Sequence, residues 1–256
     1  RERSPRRCST AGSRLSAAVS DHSTAVLVSA VFFNTGLIGP GLPTLGDTCR
    51  RRGVPLLVDA YHALNVVPFS LAAEGLNDAF VVGGGYKYCQ LGEGNCFLRF
   101  PRDCELRPVI TGWYSEFTAL AGQRRAGLVA YGQGADRFAG ATYDPTSHYR
   151  AAKVFDFFEG LSLTPTLLRE VSQHQITVLA REFDALDADP RVITRDRNTP
   201  LTQVGGFLAL TAPDAGSLCR ALHARGVMTD SRGDVLRLGP APYLTDQQLV
   251  QAIQAL

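Results

Sequence analysis

Lysine is scarce in this protein. Lys87 and Lys153 are the only two, and arginine supplies the other basic residues. Arginine does most of the surface work of a lysine, but its guanidinium stays protonated and forms no Schiff base. Lys87 lies in the stretch 79–99, AFVVGGGYKYCQLGEGNCFLR, where an apolar run enters three glycines and then Tyr86-Lys87-Tyr88. A lysine in so crowded a turn is a candidate nucleophilic amine; the same pattern also describes a surface turn with an ordinary lysine. The glycines have no side chains and read as leaving room around whatever Lys87 carries. A second candidate is Asp59, in VDAYH, at the end of another apolar run. His62, three residues on, could orient Asp59 or stack beside a ring. A carboxylate facing a ring nitrogen, together with an amine able to form an imine, is what pyridoxal phosphate needs. A strand-end aspartate alone is as readily a helix cap or turn residue.

The surrounding elements decide whether these groups meet. Apolar runs predict strands over 25–33, 54–58, 79–82 and 95–100, with a helix over 42–52 ending at Gly53. The run 25–33 reads as a strand buried on both faces, as in a parallel sheet. Residues 65–74 read as loop and short helix. Strand, helix, strand, turn, strand is an α/β rhythm with a largely parallel sheet. Ligands in such sheets sit outside the carboxyl ends of the strands, so Asp59 and Lys87 would face one crevice. From 101 to 140 the sequence is irregular and holds the only tryptophan, Trp113; long loops of this kind are often functional. A helix is predicted over 147–158, and another begins at Thr164-Pro165, an N-cap followed by proline at the first helical position. The tail alternates strands (192–194, 206–211, 235–238) with helices (215–225, and 245–256 capped by Thr245). The expected division is a poorly ordered or partly helical 1–24, an α/β domain over 25–160, and a smaller α+β domain over 161–256.

Composition narrows the function. The 256 residues are 45% apolar and 20% charged with a net charge of +2, too little positive charge to suggest nucleic acid. The densest basic stretch, 1–14, falls outside any apolar pattern. No apolar run approaches the roughly 20 residues of a membrane span. The six cysteines show neither CxxC pairing nor a partner histidine at zinc spacing, so free thiols in a cytoplasmic protein are expected, without a bound metal.

Taken together, D-x-x-H at Asp59 and His62, Tyr86-Lys87-Tyr88 in a glycine turn, Gly112-Trp113, and Arg237 in LRLGPAPYL resemble kynureninase. That family is a pyridoxal-phosphate-dependent, fold-type I group within the class V aminotransferase superfamily. The resemblance runs from about residue 25 to the end. It implies the C-terminal part of a fold-type I large domain plus a smaller α+β domain. It implies Lys87 as the Schiff-base lysine and proton carrier at the substrate Cα, and Asp59 at the pyridine nitrogen with His62 beside it. Tyr86 would reach the cofactor phosphate and help relay protons, and Ser29 matches a serine near the cofactor. Trp113 matches a tryptophan that reaches the phosphate region from the neighbouring subunit, and Arg237 would clamp the substrate carboxylate.

Two departures stand out. Thr142, in FAGATYDPT, replaces a family asparagine that contacts cofactor and substrate. The family's phosphate-binding turn and ring-stacking aromatic lie upstream of anything matching residue 25, so this polypeptide alone is expected to hold the cofactor weakly and turn over little. The implied activity is hydrolysis of a carbon–carbon bond in L-kynurenine or 3-hydroxykynurenine, the one joining Cβ to Cγ, to give an anthranilate and L-alanine. It would proceed in a cytoplasmic homodimer with a shared active site. The alternatives are another class V aminotransferase or lyase activity, or a truncated, non-catalytic paralogue. A cysteine-desulfurase-like lyase is disfavoured, because no cysteine lies in an obvious mobile loop.

Overall fold

A computed structural model describes residues 11–39, 41–122 and 126–256. Most of the basic stretch 1–14 lies outside the described residues, and so does the expectation that it is poorly ordered. A first helix, α1 (Ala11–Ala18), opens the described part. Two four-stranded sheets follow.

The first sheet holds β1 (Val26–Ser29), β2 (Leu56–Asp59), β3 (Phe80–Gly84) and β4 (Cys96–Arg99), side by side in sequence order. β1, β2 and β3 run parallel, and β4 returns antiparallel to β3. The carboxyl ends of the three parallel strands therefore point the same way. The register places Ser29 opposite Asp59, and Asp59 opposite Val82. Helix α2 (Leu42–Arg51) carries Leu42, Leu45 and Cys49 into the core beneath this sheet. It stops where Gly53 takes a left-handed φ of 64°, a conformation glycine reaches without penalty.

One expectation fails at β1. The strand is four residues long, lies at the sheet edge, and leaves Leu27 69% exposed. Among the described residues β1 has one neighbouring strand and one covered face, so a run apolar on both faces cannot hide both. Residues 65–74 form turns without a helix.

Among the described residues, 101–122 and 126–145 are irregular apart from two 3₁₀ segments, Trp113–Ala119 and Gly134–Phe138. Helix α3 (Thr146–Gly160) then braces the lysine turn: Ser147 Oγ donates to the Gly94 carbonyl (2.9 Å) and Arg150 Nε to that of Leu91 (2.6 Å). Helix α4 (Pro165–Ala185) starts as expected, with the Thr164 side chain accepting from the Leu167 N–H.

The second sheet is fully antiparallel, in the order β5 (Thr194–Arg195), β6 (Leu208–Thr211), β8 (Val235–Leu238), β7 (Asp230–Arg232). β7 is an addition to the sequence reading. Helices α4, α5 (Ala215–Ala224) and α6 (Asp246–Gln254) close its apolar face over Leu208, Leu210, Leu236 and Leu238. Thr245 caps α6 in a full capping box with Gln248.

Candidate active site

The carboxyl ends of β1 and β2 meet through their side chains. Asp59 Oδ2 accepts from Ser29 Oγ (3.3 Å), and Oδ1 accepts from the Tyr61 N–H (2.9 Å). The carboxylate is thus aimed by two neighbours before any ligand arrives. Past the end of β3 the backbone turns through Tyr86, Lys87 and Tyr88, and the Leu91 N–H closes the turn on the Gly85 carbonyl (2.8 Å).

The three glycines before Lys87 act differently from what their composition suggests. All are buried. A Cβ at Gly83 would press on Phe97 and Leu64, one at Gly84 on Tyr61, and one at Gly85 on Leu91. They admit the protein's own side chains against the backbone, and do not open space for a ligand.

That space lies on the other side of Lys87, where the turns beyond the first sheet meet the second. A cleft of about 370 Å³ is lined by Lys87, Tyr88 and His62 from the first region and by Phe207, Asp230 and Arg237 from the second, among others. His62 meets the edge of Phe207 with ring centres 5.8 Å apart. Its imidazole is pushed down to about 4, first by burial and then by the charges of Lys87 and Arg237; it is neutral near pH 7. Burial and the Arg237 charge also hold the Lys87 amine below an ordinary lysine, against the pull of Asp230 and Asp59. A lysine with that bias releases its proton more readily, as an amine nucleophile must.

Arg237 is only 11% exposed at its side chain. One Nη donates to the Phe33 carbonyl (2.9 Å) just past β1, and the other pairs with Asp230, its cross-strand partner on β7. The guanidinium also lies 5.4 Å from the Phe207 ring centre. Burial alone would raise the Asp230 carboxyl; the hydrogen bond and charge of Arg237, with that of Arg232, bring it below the usual range.

The remaining expected residues separate into two groups. Ser29 and Asp59 sit at the strand ends, on the approach to His62. Tyr86 stands beside the amine, with the Lys87 Nζ 4.9 Å from its ring centre, and packs on Tyr61 at 5.6 Å. Of the expected residues only His62, Lys87 and Arg237 line the cleft; Ser29, Asp59 and Tyr86 lie beside it, and Trp113 and Thr142 stand apart. Both are exposed; Trp113 packs instead on Tyr114 and Phe117. Among the residues missed from the sequence are Tyr88, Phe207 and Asp230. Asp230 was within reach: a two-residue turn at Gly233-Asp234 in DSRGDVLRL sets a hairpin register that puts Asp230 opposite Arg237.

The donor set fits pyridoxal phosphate on its amine and substrate-carboxylate sides, where Lys87 and Arg237 line the cleft; Asp59 stands at the adjacent strand end, outside the cleft lining. Lys87 offers the imine-forming nitrogen on the cleft wall, Asp59 an anion for the pyridinium, and Arg237 a planar cation. Among the described residues that line the cleft, none belongs to a helix N-terminus.

Three parallel strands delivering a serine, a carboxylate and a lysine to one end, with an antiparallel sheet beyond the turns that follow them, define an α/β fold of the fold-type I class. Solved structures share it. A cysteine desulfurase from Thermococcus onnurineus NA1 matches 94% of this protein and 61% of its own length, with a TM-score of 0.75 at 14% identity. A NifS-like protein from Rickettsia africae ESF-5 matches 96% and 64%, with a TM-score of 0.66 at 13% identity.

The sequence relationship is narrower, and it agrees with the resemblance carried by the motifs. Residues 168–256 match the family described as the kynureninase C-terminal domain. The sequence is 25% identical over 247 residues to a kynureninase of Bacillus cereus (strain ATCC 10987 / NRS 248). It is 23% identical over 243 residues to an uncharacterized aminotransferase, YcbU, of Bacillus subtilis (strain 168). Each alignment takes in 93% of the 256 residues, which span only 55–60% of the length of these curated relatives.

Proposed function

We propose that the 256 residues belong to a pyridoxal-phosphate-dependent hydrolase of the kynureninase type. It cleaves the Cβ–Cγ bond of L-kynurenine or 3-hydroxykynurenine to an anthranilate and L-alanine. The observation that supports this most is the shared cleft: the Lys87 amine, biased toward its free form, faces the Arg237 guanidinium, with Asp59 at the adjacent strand end. When bound, the cofactor supplies an electron sink for negative charge at the substrate Cα. Asp59, held by Ser29 and Tyr61, keeps an anion where the pyridinium would sit. Arg237 binds the substrate carboxylate in a bidentate fork, which orients the Cα–H toward Lys87. Lys87 removes and returns that proton, with Tyr86 beside it to relay protons. Water then adds to the ketone of the substrate.

In the same reading, 25–160 and 161–256 form the large and small domains. Trp113, exposed on the irregular segment, serves the phosphate region of a second subunit in a cytoplasmic homodimer, and Thr142, exposed and off the described cleft, stands where the family carries an asparagine that contacts cofactor and substrate. Because no helix N-terminus lines the described cleft, cofactor retention by these residues alone is weak.

The test is reduction with borohydride in the presence of pyridoxal phosphate, followed by mass mapping, and then incubation with L-kynurenine. The pyridoxyl group is expected on Lys87 and lost in Lys87→Ala, and the small turnover these residues alone support is expected to give an anthranilate and alanine. Labelling of Lys153 in preference to Lys87 would overturn the assignment. The similarity to an aminotransferase favours a second reading, transamination, which would release a keto acid in place of alanine. A protein that takes no label at Lys87 would stand as a non-catalytic paralogue.

A further inference from the structure

Tyr88 follows the lysine directly, yet it belongs to the opposite wall. Burial pushes its phenol well above the ordinary tyrosine range, with the charge of Arg237 pulling the other way. The reason for the burial is Gly206, at the entrance to β6. A Cβ there would lie 2.5 Å from Tyr88 Cε1 and 2.7 Å from the hydroxyl oxygen. No side chain fits at 206 while the ring is in place. The backbone at Gly206 has no left-handed φ, so conformation does not demand glycine; the tyrosine ring does. Gly239, just past β8, extends the same slot: a Cβ there would come within 4.0 Å of the Tyr88 hydroxyl.

The rest of the turn is tied to the first region. Gln90 N–H donates to the Lys87 carbonyl (3.1 Å), and Leu91 N–H to that of Gly85. Arg237, across the cleft, is fixed by Asp230 and the Phe33 carbonyl. Tyr88 is the side chain that passes from the lysine turn into the second sheet.

We infer that Tyr88 is the positioning residue for Lys87: its ring, seated in the slot left open by Gly206, holds the lysine turn against the second sheet and so fixes the Lys87 amine relative to the Arg237 guanidinium. The inference deepens the proposed active site and takes its importance from that reading, but its test needs neither cofactor nor substrate. The charged groups around the amine are Arg237 and Arg232 on one side of the balance and Asp230 and Asp59 on the other, with the neutral imidazole of His62 also on the cleft wall. Moving the turn away from the slot weakens the Arg237 contribution and admits water, and both changes return the amine toward ordinary lysine behaviour.

The two-lysine composition makes this measurable. Trace acetylation with acetic anhydride over a pH series, read peptide by peptide, gives the midpoint for Lys87 against Lys153, whose side chain is 84% exposed. In the unaltered protein the Lys87 midpoint is expected below the ordinary lysine range. Gly206→Ala is expected to move it toward that range, lowering the Lys87-to-Lys153 reactivity ratio near neutral pH by about threefold, the equivalent of half a pKa unit. Tyr88→Phe, which keeps the ring, retains the unaltered curve. Tyr88→Leu, which empties the slot without a clash, gives the same shift as Gly206→Ala and serves if the latter does not fold. A cooperatively folded Gly206→Ala or Tyr88→Leu variant with an unchanged Lys87 curve overturns the inference, and so does a Tyr88→Phe curve displaced as far as theirs. Failure of borohydride labelling would leave this result untouched, so the two readings fail separately.

Discussion

The two sheets handle their apolar residues in opposite ways. In the second sheet the strands alternate: Leu208, Leu210, Leu236 and Leu238 point into a core closed by three helices, while Ala209 and its cross-strand partner Arg237 point away from it, and Arg237 lines the cleft. In the first sheet both faces are apolar; the described residues cover one of them over β1 to β3 and neither over the edge strand β4. Leu27, Phe97 and Leu98 are exposed, as are Val109 and Ile110 in the irregular segment beyond. The second sheet thus buries its apolar face among the described residues and supplies one rigid wall with its arginine. The first supplies the lysine and carboxylate from a less enclosed support. Chemistry concentrated on the looser partner needs ties to the firmer one, so the residues between them govern the geometry of the site.

The sharpest way to break this contrast is to empty an equivalent site in each core. Leu236 is fully buried in the second core. Leu236→Ala is expected to cost near the upper end of about 2–5 kcal/mol, because its enclosure cannot collapse. Leu56 on β2 borders a surface pocket of about 40 Å³, so Leu56→Ala should fall near the lower end of that range. Urea unfolding of both variants decides it, and equal or reversed costs would show that the first core is no looser. A smaller effect is expected at the seam. Arg169, on α4, donates to the carbonyls of Val66 (3.3 Å), Val204 (2.8 Å) and Thr202 (2.8 Å), joining the first region to the approach to β6. Arg169→Met should cost about 2–3 kcal/mol by orphaning these carbonyls. A loss below about 0.5 kcal/mol, as for an ordinary surface substitution, would mean that the two regions need no such tie.

The contrast also explains which parts of the molecule are legible in its sequence. The second sheet and its helices are, because their signals are local: Thr164-Pro165 caps α4, Thr245 caps α6, and alternation marks β6 and β8. The strand ends carrying Asp59 and Lys87 are legible for the same reason. Burial on both faces of 25–33 is not, since it depends on what lies beside the strand, and the composition of a strand carries no information about its neighbours. Gly83, Gly84 and Gly85 mislead because composition cannot distinguish room for a ligand from room for Phe97, Tyr61 or Leu91. Gly206 reads as the start of a strand, and its role appears only when Tyr88, 118 positions earlier, is seen lying on it. Contacts between the two regions are the part of the site that no local pattern encodes.

The smallest effect concerns the same seam under acid. His62 is held between the first-sheet strand ends and Phe207, and its pKa falls from 6.5 to about 4. Above pH 6.5 it is neutral in the folded and unfolded states alike and contributes no pH dependence. Between pH 6.5 and about 4 the unfolded state takes up a proton that the folded state refuses, so stability is lost as the pH falls through this window. Because the imidazole lines an open cleft, solvent screening reduces the loss to about 1–2 kcal/mol. His62→Gln keeps a polar side chain of similar reach and removes the titration. Other carboxylates titrate in both proteins, so the difference between their urea midpoints, measured from pH 7 down to pH 4.5, isolates the histidine. The variant is expected to lose less stability across the window, and parallel curves would show that the two regions do not close around His62 tightly enough to desolvate it.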